Sequence, residues 1–317
     1  MIIGYQASHE QFAPSELVKY AVAAEKAGFK AIHSSDHFHP WSVRQGHSGF
    51  AWAWMGAAMQ ATTVPFSAIC VPGQRYHPAI VAQAIATLCE LFPGRFIAEL
   101  GSGEAINEKI TGEPWPLKSE RNHRLAESAE IIKKLLEGEE VTHKGYVMVH
   151  EAKLYTRPAE IPPLFCAAIS EQTAEWAGSW ADGLITVGSD HIIAEKVMNA
   201  FKKGGGEGKP VFLKLDLSYA KTKAEAMDGA FNQWRTNVLP SNLLGDLRKV
   251  EHFDAAATFV RPEDVAKKVK ILTDTEECKD WLHSFAPLNA NRLVLHNVNR
   301  QQQQFIEDFG EKVLPSI

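Results

Sequence analysis

A chain of 317 residues with 45% hydrophobic content can bury a sizeable core, and its length suits two average domains or one α/β barrel of about 250 residues. The formal net charge of -5, with lysines scattered along helix-like segments, speaks against a nucleic-acid partner and for small molecules. No apolar run approaches the roughly 20 residues of a membrane span, and "MII" at residues 1–3 enters a strand with no signal-like segment; the expectation is a soluble, cytoplasmic protein without a membrane partner.

In chain order, short apolar runs alternate with amphipathic ones. "MIIGYQA" (1–7) reads as a strand and "PSELVKYAVAAEKAG" (14–28) as a helix, with Pro14 near its start and Gly28 at its end. "KAIHSSD" (30–36) with "GFAWAWMGAAMQAT" (49–62), "PFSAICV" (65–71) with "PAIVAQAIATLCELF" (78–92), and "RFIAELGSG" (95–103) with a long helix from about 119 to 137 repeat the unit. Four more strands follow in "PLFCAAIS" (163–170), "DGLITVGS" (182–189), "PVFLKLDLSYA" (210–220) and "RLVLHNV" (292–298). The helix assigned to the seventh unit is "KAEAMDGAFNQW", and "QQQQ" (301–304) is taken as the solvated start of the last helix.

The strands are continuously apolar, as parallel strands covered on both faces must be. Eight β-α units predict one (β/α)8 TIM barrel spanning residues 1–317. The rival, an open doubly wound sheet, usually carries G-x-G-x-x-G in its first turn, and this chain has none. Two insertions interrupt the repeat: a small β-ribbon at 138–160 after strand 4, and extra helices at 235–291 after strand 7, placed to cap the mouth. Cys70, Cys89, Cys166 and Cys278 form no C-x-x-C pair and read as inert thiols in a reducing compartment.

Barrel active sites gather at the C-terminal ends of the strands. That rule brings Ser8, His9 and Glu10, then Asp36, His37 and Trp41, to one mouth with Gly101, Ser102, Gly103 and Glu104, and with Ser170, Thr173, Gly188, Ser189, His296 and Asn297. The stretch "HSSDHFHPW" (33–41) therefore lies where buried acid–base groups acquire shifted pKa values. A barrel metal site draws ligands from several strands, commonly an H-x-H on strand 1, where this chain has "GYQAS"; no metal is expected. His33 reads as a hydrogen-bonded core residue, and His39 and His47 as loop histidines. Trp52, Trp54, Met55 and Met59 read as core or interface packing.

"GYQASHEQFAPSELV", "SDHFHPW", "HPAIVAQAIATL" and "GSGEAINE" resemble the F420-dependent glucose-6-phosphate dehydrogenase branch of the luciferase-like superfamily, over most of residues 1–130. The resemblance implies a flavin or deazaflavin in the barrel mouth. It makes His37 the general base, Trp41 a neighbour of the reacting carbon, Glu104 the proton donor and Glu10 their companion. It implies cofactor contacts from Asp36, Asn107 and the segment Gly101–Gly103, and a bulge at Ala68–Ile69, often with a non-proline cis peptide. The segment after strand 5 departs from the branch: "AAISEQTAEWAG" stands where F420 enzymes carry Gly-Gly-Pro or Ser-Gly-Pro. Ser170 and Thr173 with "EWA" resemble the FMN-phosphate segment of bacterial luciferases, with Ala168 beside them as a further expected cofactor contact, and hydroxyls at a helix N-terminus suit a phosphate. FMN is thus the expected cofactor and F420 the alternative. The branch's substrate-phosphate arginine falls near Ala255 and its lysine-bearing insertion is replaced by "NVLPSNLLGDL", so glucose 6-phosphate is not the expected substrate.

Four functions stay open at this point. They are a flavin-dependent oxidoreductase of a small molecule, which with F420 would be an alcohol or sugar dehydrogenase, a monooxygenase fed by a separate flavin reductase, a flavin-binding barrel without catalysis, and a metal hydrolase. By analogy with luciferase-like barrels, a homodimer is expected, with the Trp/Met-rich second helix as one face.

Overall fold

In the strand bodies, runs such as Val211–Leu213 and Arg292–Leu295 hide both faces, so each strand must lie between an interior and a helix layer. The computed structural model describes residues 1–317. The strands are β1 (Ile2–Ala7), β2 (Ala31–Ser34), β3 (Phe66–Cys70), β4 (Phe96–Leu100), β5 (Val141–Lys144), β6 (Met148–Ala152), β7 (Leu164–Ala167), β8 (Gly183–Val187), β9 (Val211–Tyr219), β10 (Lys270–Leu272) and β11 (Arg292–Asn297). All but β5 and β6 pair in parallel, in the order β11-β1-β2-β3-β4-β7-β8-β9, and β9 pairs with β11 to close an eight-stranded (β/α)8 barrel. The short β10 adds to the outer side of β9's last residues, and β5–β6 is the expected ribbon, antiparallel with a bulge.

The helices are α1 (Pro14–Ala27), α2 (Ala51–Gln60), α3 (Pro78–Leu91), α4 (Ala105–Glu108), α5 (Lys118–Glu137), α6 (Glu171–Gly178) and α7 (His191–Phe201). They continue with α8 (Lys223–Trp234), α9 (Ser241–Asp246), α10 (Val250–Ala256), α11 (Pro262–Ala266), α12 (Thr275–His283) and α13 (Gln302–Asp308). The core between barrel and helix ring takes the outward side chains, among them Tyr5, Ile32, Phe66, Leu100 and Leu215. Inward side chains form stacked layers, as strand alternation requires. At the floor, the Arg292 guanidinium stacks 4.1 Å from the Phe212 ring, against Phe165 and Ile185. One layer up, His33 is wedged between Gln6 and Glu99, 2.6 Å from the Glu99 carboxylate, which bears out its reading as a hydrogen-bonded core residue.

Three expectations change. The helix α8 does not fill the seventh place in the outer ring. Its C-terminal end lies against the mouth, where Gln233 meets Gln11 and Trp234 meets His296; the ring place is taken by α12, whose Cys278 and Leu282 enter the main core. The cap therefore begins with α8 rather than at 235. Strand β3 runs in unbroken register with β4 through Cys70, and the chain has no cis peptide, so the expected bulge at Ala68–Ile69 is absent. Gln302 is buried, accepting from the Tyr5 hydroxyl (2.9 Å) and donating to the Asn297 carbonyl (2.8 Å), because it closes β11 onto β1. Trp54, Met55 and Met59 all pack into the core, the first of the two roles expected of them. No helix is long and apolar enough to cross a membrane, and the cysteines are free and buried.

Candidate active site

The loop after β2 is held by its neighbours rather than by its own secondary structure. Asn107, on α4, accepts from the backbone N–H of Phe38 (2.9 Å) and His39 (3.2 Å), and the Ser48 hydroxyl donates to the His37 carbonyl (2.6 Å). The Asp36 carboxylate accepts from the Arg75 guanidinium and the Tyr76 hydroxyl, each at 3.1 Å. Burial pushes the Asp36 carboxyl up, and Arg75 and Tyr76 offset only part of that. Arg75 also lies 3.5 Å from Glu108, so one guanidinium serves two buried carboxyls. Asp36 and the Asn107 carbonyl thus spend their hydrogen-bonding capacity on holding the loop.

The result is that His37 is placed between two carboxyls. Its Nδ1 is 3.4 Å from Glu10 Oε1 and its Nε2 is 3.9 Å from Glu104 Oε2. Trp41 packs edge-on to the imidazole with ring centroids 4.9 Å apart. Burial lowers the His37 pKa, opposed by the Glu10 charge, so the ring is neutral at pH 7. Glu10 accepts from Ser8 (2.7 Å) and Ser35 (3.0 Å). Burial alone would raise the Glu10 pKa, but His37 and the Ser8 hydrogen bond together hold it below the usual value. Glu104 goes the other way: burial first, then the charges of Glu10 and Glu108, push it up to about 8. An ionised carboxylate and a protonated one therefore flank a neutral imidazole, the separation that acid–base chemistry needs.

The other half of the mouth is apolar. Ser67 and Ile185 face the interior, so alternation turns Ile69 and Val187 the same way, while Ile169, just beyond β7, is 56% exposed. Ala68 and Ala168 face the helix layer, leaving only their backbone for the mouth. A Cβ at Gly101 would stand 3.8 Å from Val71 and 3.9 Å from Ala167, ordinary contacts that this turn could accommodate. Gly103 is at φ +80°, and a Cβ there would stand 2.8 Å from Val71 and 2.9 Å from Glu108, so this turn needs glycine. Gly188 is likewise closed to a side chain, by Leu215 at 2.6 Å, and Ser189 beside it is half-buried. Ser170 caps α6, accepting from the Thr173 N–H (3.3 Å) and donating to its hydroxyl (3.0 Å). Ser102 accepts from the Lys118 ammonium. Flat apolar walls beside hydroxyls and an ammonium fit a planar tricycle with an anionic tail.

His9 does not join the site. It is fully buried, edge-on to Trp54 at 4.8 Å, and burial lowers its pKa to about 4. Sequence reasoning missed Arg75, Tyr76 and Glu108, and it missed a group inside β9. Lys214 donates to Asp216 Oδ1 (2.5 Å), which also accepts from His296 Nδ1 (2.9 Å). Trp234 covers His296, with ring centroids 4.6 Å apart. Opposite, Phe253 of α10 packs 5.2 Å from Trp41 and closes the cap over it.

A family model described as luciferase-like monooxygenase matches residues 3–292. The chain is 33% identical to the F420-dependent glucose-6-phosphate dehydrogenase of Amycolatopsis mediterranei (strain U-32), over 99% of this chain and 98% of that one. A solved F420-dependent secondary alcohol dehydrogenase in complex with an F420-acetone adduct is 32% identical with a TM-score of 0.91, covering 98% of this chain and 97% of that one. The coenzyme F420 dependent tetrahydromethanopterin reductase from Methanopyrus kandleri is similar in fold, at 21% identity and a TM-score of 0.79, covering 99% of this chain and 98% of that one.

Proposed function

The chain belongs to the luciferase-like monooxygenase family, and from that premise we propose that it is an F420-dependent dehydrogenase that oxidises a small neutral alcohol. The observation that carries this reading is His37 between an ionised Glu10 and a protonated Glu104. The names of relatives above 30% identity favour F420 over the FMN that the strand-5 segment suggests.

When bound, F420 supplies a two-electron hydride acceptor. Ile69, Ile169 and Val187 would lie along its ring, with Gly101–Gly103 at the turn, Ser170, Thr173 and Ser189 toward phosphate, and Asp36 and Asn107 holding the loop beside it. The imidazole orientation assigns the proton roles. Nδ1 faces the Glu10 carboxylate, so Nδ1 carries the hydrogen and Nε2 is the basic atom that takes the substrate's hydroxyl proton. The 3.4 Å gap is long for a hydrogen bond but short for charge attraction, and Glu10 stabilises the imidazolium that forms. Trp41 sets the substrate against His37, and Glu104, 3.9 Å from Nε2, would supply the proton that the cofactor takes up along with the hydride.

Four cations around the cap and mouth are answered by carboxylates, Arg44 by Asp254, Arg75 by Asp36 and Glu108, Lys214 by Asp216 and Arg121 by Asp246, while Lys118 donates to the Ser102 hydroxyl instead. A phosphomonoester substrate needs uncommitted cations, and the commitment of these four supports a neutral alcohol over glucose 6-phosphate. The Ser170–Thr173 hydroxyl pair favours the second reading, FMN with its single terminal phosphate, as a dehydrogenase or as a monooxygenase served by a reductase. Titrating the purified protein separately with F420 and FMN, by fluorescence and absorbance, decides between them. Micromolar F420 binding with weak FMN binding, and loss of F420 absorbance when a secondary alcohol is added, is the expected result. Tight FMN binding with none for F420 overturns the assignment.

A further inference from the structure

The group inside β9 differs from the polar layer beneath it. In the lower layer, His33 and Glu99 are sealed, with side chains 1% and 0% exposed. In the upper layer, Lys214 and Asp216 are 17% and 11% exposed. Phe212 faces the barrel interior, so alternation turns Lys214 and Asp216 inward too, at the mouth end of the strand.

Hydrogen bonding inside this group is incomplete in a directed way. Asp216 Oδ1 takes both the Lys214 ammonium and His296 Nδ1–H, while Oδ2 accepts from no protein donor and is open to the mouth. Lys214 has three N–H donors and gives only one to the protein. Its ammonium sits 5.3 Å from the Trp234 ring, which walls that side of the mouth. His296 Nε2 is turned to Gln11, the residue after Glu10, and β9 stands three strands round the barrel from β2, whose following loop carries His37. A fixed donor and a fixed acceptor thus stand side by side, with near-zero net charge between them. That combination suits a hydroxyl, which donates and accepts at once, better than a carboxylate or an amine.

We propose that Lys214 and Asp216 form a subsite for a second hydroxyl group of the substrate, making the substrate a diol, polyol or unphosphorylated sugar rather than a monohydric alcohol. This rests on the dehydrogenase reading for its catalytic half only. Lys214 donates to the hydroxyl oxygen, Asp216 Oδ2 accepts its hydrogen, and His296 fixes the carboxylate through Oδ1. Trp234 supplies the apolar wall.

Butan-2-ol and butane-2,3-diol differ by one hydroxyl on the same carbon skeleton and serve as probes. The F420-loaded protein is expected to give a kcat/KM for the diol at least about tenfold above that for butan-2-ol, and Lys214→Met and Asp216→Asn each to bring the ratio within about twofold of unity. The ratio, not the absolute rate, is the readout, so a general loss of activity does not imitate the result. A second readout needs no turnover: tryptophan fluorescence of the protein titrated with each alcohol. Saturable quenching by the diol alone, lost in Lys214→Met, is expected. Equal ratios in the unaltered protein, or a diol preference that survives both substitutions, overturn the subsite. If neither alcohol is oxidised while diol-selective quenching persists, the dehydrogenase reading fails and the subsite stands.

Discussion

Glu10 acts on both proton-carrying groups at once. Its charge raises the pKa of His37 and that of Glu104. Oxidation needs His37 neutral and Glu104 protonated, so activity should climb as His37 loses its proton and decline as Glu104 loses its own near pH 8. Removing the Glu10 charge lowers both values. Glu10→Gln should therefore displace the whole bell to lower pH, whereas a substitution that only loosened the loop would lower the rate without moving either limb. Glu104→Gln should cut kcat by roughly 10²- to 10⁴-fold, the range for a lost general acid; a pH–rate series of both variants checks the pair. His37, Glu10 and Glu104 were legible in the sequence because each falls within a few residues of a strand's end, where barrel chemistry collects. Lys214 and Asp216 were not, because they sit inside β9, where a continuous apolar run masks the two polar residues spaced to face inward.

The cap is the element on which His37 and Trp41 depend from outside the barrel. Asp254 of α10 accepts from the Ser42 hydroxyl (2.7 Å) and the Val43 N–H (3.1 Å), and Phe253 next to it is fully buried against Trp41. Phe253→Ala removes that wall and leaves a cavity, at a cost of about 3–5 kcal/mol if the cap does not collapse into it. The expected outcome is a lower Tm and a raised KM, with F420 affinity little changed, since the apolar half of the mouth lies on other strands. An equal loss of F420 affinity would place the cofactor under the cap instead. The extent of the cap was misread from sequence for a physical reason. Helix α8 has the apolar spacing of any ring helix, and periodicity reports that a face is buried without saying against what. The barrel strands were readable because burial on both sides marks parallel strands, and eight β-α units without the first-turn glycines of the doubly wound rival leave the barrel.

At the scale of the whole molecule, the tuned groups make stability depend on pH in a direction that can be worked out. Glu104 holds its proton to about 8 and Glu108 to about 7 in the folded chain, against 4.5 when free. Between pH 4.5 and those values the folded state binds more protons than the unfolded one, so these two groups lower stability as pH rises. His37 and His9 act oppositely, since their folded values lie below 6.5, and their penalty disappears as pH climbs to 6.5. Asp216, held near 2 because Lys214 and His296 outweigh its burial, contributes stability above about 3.8 that is lost only as pH falls toward 2. Above pH 6.5 the two glutamates are therefore the groups in this set still changing, and Tm should decline from pH 6.5 to 8.5. Solvent at the mouth screens part of the effect for Glu104, whose side chain is about one-third exposed. Glu104→Gln carries no proton to lose, so its Tm should fall less over the same interval and exceed that of the unaltered protein at pH 8.5. Calorimetry of the two proteins at pH 5, 6.5 and 8.5 tests this, and parallel curves would mean that Glu104 ionises as freely in the fold as in water. The gain in stability with loss of the acid is the trade expected where a fold strains one group to make it reactive.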